Sequence, residues 1–310
     1  MKARPFDQEI FQYLDNYETE DCVIVSRRGK HIFPRGSQIV KSYPPVLLDD
    51  GWCWLLTDLV ALPGGACIMK RTLSRATYVP YPVEQANPEI AWDMFSAEIE
   101  AYLSLTHLQG IILPYLYSIV ESSPVIDIKK TSSLLYEHLD SAQFIPLGTW
   151  IGQHPVPKNP VIPLDMFEPM SGNIDSLHAQ LDILYQVLES LLDLFHDEDT
   201  TNKLDNYNGL SNWDLVCIRT FLALRLIHVG GICHGNVNGR TILINGKTLH
   251  PVFVDFYHSV KATSDPNIIY RMAKECDDLK KVWLRGFAVD ESSLSSTIFD
   301  QGTNSEVWWI

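Results

Sequence analysis

The chain has 310 residues, 46% of them hydrophobic and 20% charged, a balance that supports a buried core and argues against disorder over most of its length. Its formal net charge of -14 argues against a sequence-independent nucleic-acid binder, which needs a basic surface to displace counterions. The same charge disfavours docking on an anionic membrane.

The opening residues Met1–Pro5 lead into Asp7 and Glu9 with no apolar stretch, so no secretory signal is expected there. Asp50-Gly51 and Pro63-Gly64-Gly65 are turn signals that bracket Trp52–Leu62, a predicted strand. Ala66–Lys70 reads as its antiparallel partner. From Pro88 to Leu105 the apolar residues Ile90, Met94, Ile99, Tyr102 and Leu103 recur near a helical period, and Pro88 suits a first turn. Two apolar segments follow, Ile111–Val120 and Leu134–Leu139; the first contains Pro114 and is too short to cross a bilayer.

Six prolines between Pro146 and Gly172 mark a connector or inserted loop. Leu177, Leu181, Leu184, Leu188, Leu191 and Phe195 then trace one face of a long helix. The polar segment Asp197–Asn208 joins it to a second helix carrying Leu215, Ile218, Leu222 and Leu226, with Ser211 or Asn212 as its cap. Thr241–Ile244 and Val252–Phe256 read as short strands around the hairpin signal Asn245-Gly246. A last helix near Ile268–Trp283 precedes a tail ending in Trp308-Trp309, either docked on the body or an interaction handle. The six cysteines form no Cys-x-x-Cys pair, and Cys67 and Cys233 lie in apolar runs, so reduced, buried thiols in a cytoplasmic protein are expected. A strand-rich front and a helix-rich back predict an α+β fold of two lobes with a cleft between them.

The segment Leu226–Ile244 carries the chemistry. A helix ends in Leu226-x-His228-x-x-Gly231-x-x-His234-Gly235-Asn236, a hairpin follows, and Val254-Asp255-Phe256 closes the run. This order resembles the catalytic loop of the protein-kinase superfamily, most of all the small fungal kinase-like and aminoglycoside-phosphotransferase-like proteins, in which His-Gly-Asp stands at this place. The resemblance covers roughly residues 50–285. It implies a bilobal kinase-like fold, with an N-lobe over residues 1–133, a hinge over 134–142 and a C-lobe over 143–310 carrying the proline-rich insertion 146–172.

It further implies roles residue by residue. Lys70 matches the strand lysine that meets nucleotide phosphates, and Glu98 (or, as a second choice, Glu100) its helix partner. Leu134–Leu139 resembles the hinge, so Glu137 and Leu139 would border an adenine. Asp255 matches the metal-holding carboxylate, and Thr241 stands where the family has a second metal ligand, usually asparagine. Magnesium with ATP, held weakly, is the implied cofactor. In this setting His228 and His234 are framework residues rather than a metal pair.

The departures weigh more than the matches. Asn236 stands where the family has the aspartate that receives the substrate proton, and an amide has no basic oxygen at neutral pH. Its loss costs about 10²–10⁴-fold in rate. No Gly-x-Gly-x-x-Gly precedes Lys70, and Asp49-Asp50-Gly51 would set two carboxylates in the turn that should cradle phosphate. Tyr257 replaces the glycine after Asp255-Phe256.

Three functions remain open. The first is a pseudokinase that binds a nucleotide or another small ligand, or a protein partner. The second is a kinase-fold enzyme turned to other chemistry on a small organic molecule in fungal specialised metabolism. The third is a weak phosphotransferase relying on Lys70, Glu98 and Asp255.

Overall fold

The computed structural model describes residues 23–26, 29–32, 37–42, 46–47, 53–62, 67–75, 88–121, 132–154, 156–194, 210–264 and 267–287. The turns expected at 49–51 and 63–65, the polar segment 197–208, the Lys70 side chain and the tail at 308–310 lie outside the described residues. Two compact units emerge. One takes in the described residues up to Tyr102 and Gln109–Leu139; the other takes in Leu103–Leu108 and the described residues from Asp140 onward.

The first unit is built on antiparallel strands. β1 (Val23–Ser26) pairs with β2 (Gly29–Ile32) as a separate two-stranded ribbon. The main sheet contains β3 (Gln38–Ser42), β4 (Val46–Leu47), β5 (Cys53–Ala61), β6 (Cys67–Arg75), β7 (Leu116–Glu121) and β8 (Ser132–Glu137). Its order is β3-β5-β6-β8-β7, with β4 added along β5. The expected β5–β6 hairpin is present, with Val60 opposite Ile68 and Asp58 opposite Lys70. Val60, Leu62, Ile68, Tyr117 and Leu135 pack together as its apolar cluster.

α1 (Pro88–Ser104) sits between β6 and β7 in the chain. Its buried face is Met94, Phe95, Glu98, Ala101 and Tyr102, at helical spacing. Leu103, expected on that face, is 59% exposed. The stripe is therefore centred one residue earlier, on Phe95 and Tyr102.

The second unit is mainly helical. α2 (Leu147–Gln153), α3 (Ile174–Leu194), α4 (Asn212–Val229) and α5 (Ile268–Phe287) accompany a three-stranded sheet of β9 (Phe144–Pro146), β11 (Ile242–Asn245) and β12 (Pro251–Phe253), in the order β12-β11-β9. A two-stranded ribbon joins β10 (Ile232–Cys233) to β13 (Val260–Lys261). Leu177, Leu181, Leu184 and Leu188 form the buried stripe of α3. Trp213 and Trp283 meet edge to face at 5.0 Å, and Trp150 joins them at 6.3 Å from Trp283. Rings of this size each remove on the order of 150–250 Å² from water, so this cluster anchors the unit.

α4 starts on a capping box. Ser211 Oγ accepts from the Asp214 N–H at 3.1 Å, and the Asp214 carboxylate accepts from the Ser211 N–H at 3.4 Å. The same carboxylate, 1% exposed, also accepts from the N–H groups of Val161 at 2.9 Å and Ile162 at 3.4 Å. Further along, Asp277 on α5 accepts from the Met170 N–H at 3.0 Å, and the buried Lys280 donates to the Glu168 carbonyl at 2.7 Å. The proline-rich stretch is thus more than a connector. It carries α2 and a short 3₁₀ turn (Leu164–Phe167), and two buried charges, Asp214 and Lys280, with the half-buried Asp277 hold its backbone to α4 and α5.

The turn at Asn245-Gly246 is longer than a two-residue hairpin. Asn245 Oδ1 accepts from the N–H groups of Lys247 at 2.9 Å and Thr248 at 3.0 Å, and the Gly246 N–H donates to the Gln143 carbonyl at 2.7 Å. Among the described residues no helix is long and apolar enough to cross a membrane.

Candidate functional site

After α4 the chain runs through β10, a loop over residues 234–241, β11, β12, the exit residues 254–258 and β13. Because β10 pairs with β13, Cys233 standing opposite Val260, the loop and the exit residues are closed into one ring of backbone.

His234 ties that ring together. It is wholly buried, its Nε2 donates to the Val254 carbonyl at 2.9 Å, and its Nδ1 accepts from the Asn236 N–H at 3.3 Å. A carbonyl can only accept and a backbone N–H can only donate, so these partners fix one neutral tautomer. Burial pushes the imidazole down to about 4, against the opposing pull of Glu275 and the Val254 carbonyl. One ring thereby spaces the residue before Asp255 from the residue at the head of the loop.

The Asn236 amide is oriented by a short chain of bonds. Asn238 Oδ1 accepts from the Arg240 N–H at 2.8 Å and the Thr241 N–H at 3.3 Å, so the other end of that amide must donate. It does so to Asn236 Oδ1 at 2.9 Å. The Asn236 oxygen is therefore turned toward Asn238, and its remaining polar end is the NH₂ donor. Thr241 closes the loop. Its hydroxyl, buried, donates to the Asn236 carbonyl at 2.7 Å and accepts from the Asn238 N–H at 3.2 Å.

Asp255 is 4% exposed and holds φ at 77°, one of two non-glycine residues with positive φ among those described. Such backbone costs of order 1–3 kcal/mol and persists only where its surroundings enforce it. Here the enforcement comes from Val254, whose N–H donates to the Thr241 carbonyl at 3.0 Å, and from the Ser259 N–H, which donates to the Phe256 carbonyl at 2.9 Å. The His234 ring lies 4.4 Å from the Phe256 ring and adds packing on the same side.

Beneath the loop, Glu275 of α5 receives three donors. His228 Nε2 donates to Oε2 at 2.8 Å, the His234 N–H donates to Oε2 at 3.1 Å, and the Gly235 N–H donates to Oε1. Burial alone would raise this carboxyl; the bond to His228 and its electrostatic pull, with smaller contributions from the His234 ring and the Gly235 N–H, bring it below the usual range. The chain of polar groups continues through Tyr185, whose hydroxyl lies 3.4 Å from His228 Nδ1 and 3.2 Å from Cys276 Sγ. Burial pushes the Cys276 thiol up to about 12, so it stays protonated and inert.

The sequence-predicted residues divide between the units. Asn236, Thr241 and Asp255 belong to this ring in the second unit. Lys70, Glu98, Glu137 and Leu139 belong to the first unit. There Glu98 is buried on α1, Leu139 is buried, and Glu137 Oε2 accepts from the Tyr115 N–H at 3.1 Å. His228 is bonded to Glu275, and His234 to Val254. Four described cysteines are free thiols: Cys217, Cys233 and Cys276 are buried, and Cys67 is half-buried.

Glu275 and Asn238 are additions that motif reading misses. The signal for Glu275 was present in α5, where it falls on the stripe Ala273, Cys276, Leu279 and Trp283, all buried. A charge on an apolar stripe needs a partner inside. For a magnesium ion the ring offers one suitable hard ligand, Asp255; the Thr241 hydroxyl is engaged by Asn236 and Asn238.

A pocket of about 180 Å³ lies against the loop, with Gly235, Asn236, Val237, Cys233, Lys274 and Glu275 among its walls. No family model matches the chain, and none of the curated proteins matches it either.

Proposed function

We propose that this chain is a degenerate kinase-like protein whose site acts by binding a nucleotide or another small ligand rather than by ordinary phosphoryl transfer. The observation that carries the reading is the Asn236 amide, held with its oxygen on Asn238 at the place where the resemblance puts a proton-accepting carboxylate. Support also comes from Thr241, whose hydroxyl is committed inside the loop, and from Asp255, kept in an enforced positive-φ backbone. The architecture is compatible with the resemblance: an antiparallel, strand-rich unit with one helix precedes a mostly helical unit.

The test pairs a thermal-shift titration with magnesium-ATP and a phosphate-transfer assay on the unmodified chain and on Asn236→Asp. We expect little or no transfer from the unmodified chain. Any residual transfer should rise by about 10²–10⁴-fold in the variant, the worth of a general base. Asn238 would donate to a carboxylate as well as to an amide, so the substitution should be accepted by the fold. Vigorous transfer by the unmodified chain rejects the proposal.

A second reading, non-phosphoryl chemistry on a small organic molecule, draws on the pocket that Asn236 shares with Val237 and Val260. It requires that Asn236→Ala abolish turnover of such a molecule while leaving the fold intact.

A further inference from the structure

We propose that His228, Cys233 and Glu275 form a zinc site whose fourth position opens into the pocket beside Asn236. The proposal is independent of the reading above. A ligand atom from each of the three residues lies within 4.8 Å of the others, and all three residues are buried. An imidazole nitrogen, a thiolate and a carboxylate make a mixed set that suits this borderline-soft ion, and three protein ligands with one open position is the arrangement of a reactive rather than a purely structural zinc.

The distances are close to what zinc requires. With one sulfur, ligand atoms around a tetrahedral zinc stand about 3.3–3.5 Å apart, given Zn–N and Zn–S lengths of about 2.0 and 2.3 Å. His228 Nε2 and Glu275 Oε2, now 2.8 Å apart, would open slightly, and the widest separation would close by about an ångström. The ligands stand on α4, β10 and α5, elements that hold position better than loops.

Their outer partners are in place as well. Glu275 keeps the N–H bonds of His234 and Gly235 while its Oε2 exchanges the His228 proton for the ion. The imidazole proton then sits on Nδ1, where the Tyr185 hydroxyl, 3.4 Å away, can accept it. Cys233 gives its thiol proton to solvent, so thiolate and carboxylate together balance the two positive charges. An entry path exists, because Cys233 and Glu275 both line the pocket.

The experiment uses the full chain, stripped with a chelator and titrated with cobalt(II) as the optical stand-in and with zinc itself. We expect one equivalent to bind, with a sulfur-to-cobalt charge-transfer band that zinc displaces. Cys233→Ser, which keeps the His228–Glu275 pair, should abolish that band and weaken zinc binding by 100-fold or more, while circular dichroism shows an unchanged fold. Tyr185→Phe should weaken binding by about 10-fold, the effect of losing an outer partner. Absence of a thiolate band, or a band that survives Cys233→Ser through another of the thiols, overturns the proposal.

Discussion

At Gly235 the backbone holds φ at +80°, and a Cβ added there would stand 1.9 Å from the His258 carbonyl oxygen. Backbone, not a flexible side chain, occupies that space, so Gly235→Ala must move the exit turn away from the loop. We expect a loss of about 2–4 kcal/mol, combining the left-handed penalty with overpacking, measurable by urea unfolding. An unchanged midpoint would contradict the closed ring. The same ring predicts a pH dependence through His234. In the folded chain it stands at about 4, below the ordinary imidazole value of 6.5, so the unfolded chain binds the proton more readily. Stability from this group is fully present above pH 6.5 and is lost as pH falls toward 4. Between pH 7 and pH 5 the loss should be about 2 kcal/mol. His234→Gln should flatten that part of the profile. The Glu275 carboxyl, held low, supplies its stability at neutral pH and loses it only at more acidic pH, as it is protonated.

Among the elements, α4 was the most legible in advance, and its cap shows why. Ser211 followed three residues later by Asp214, ahead of an apolar run, is a local signal that needs nothing from the rest of the chain. The β5–β6 hairpin and the leucine stripe of α3 were legible for the same reason, since each is a short-range pattern. On α1 the expected Met94 and Tyr102 are buried but Leu103 is exposed, because Leu103 fits a helical period nearly as well as Phe95 and only packing separates them. The proline-rich segment reads in the sequence as a connector or inserted loop because the groups that order it, Asp214 and Asp277, lie 53 and 107 positions from the backbone they hold. Asp214→Ala should therefore cost more than Ser211→Ala. We expect about 3 kcal/mol against about 1, since the first leaves buried N–H groups without acceptors and the second loses only a cap. Hydrogen exchange at Val161 reports the difference: it should accelerate in Asp214→Ala and stay slow in Ser211→Ala.

For the molecule as a whole, the division into a strand-rich and a helical unit could be anticipated from where periodicity changes along the chain. Which side chains sit beneath the loop could not, because Glu275 reaches its partners across 41 and 47 residues. Net charge also acts at this scale. With -14 on 310 residues, self-repulsion opposes compaction, and salt should relieve it. Raising ionic strength from about 0.01 to 0.15 M shortens the screening length from about 30 to 8 Å. The melting temperature should rise by a few degrees over that range, as scanning fluorimetry would record. A fall would mean that attractive ion pairs outweigh the repulsion.

The turn after β11 has a bearing on how the protein ages. Asparagine before glycine is the dipeptide most prone to lose its amide, because the following nitrogen attacks the side-chain carbonyl and closes a five-membered imide. Here that nitrogen is committed to the Gln143 carbonyl, and the Asn245 side chain is turned to the two residues beyond it. The reaction is blocked as long as this sheet stays folded, so succinimide accumulating at Asn245 would be a chemical clock for time spent open.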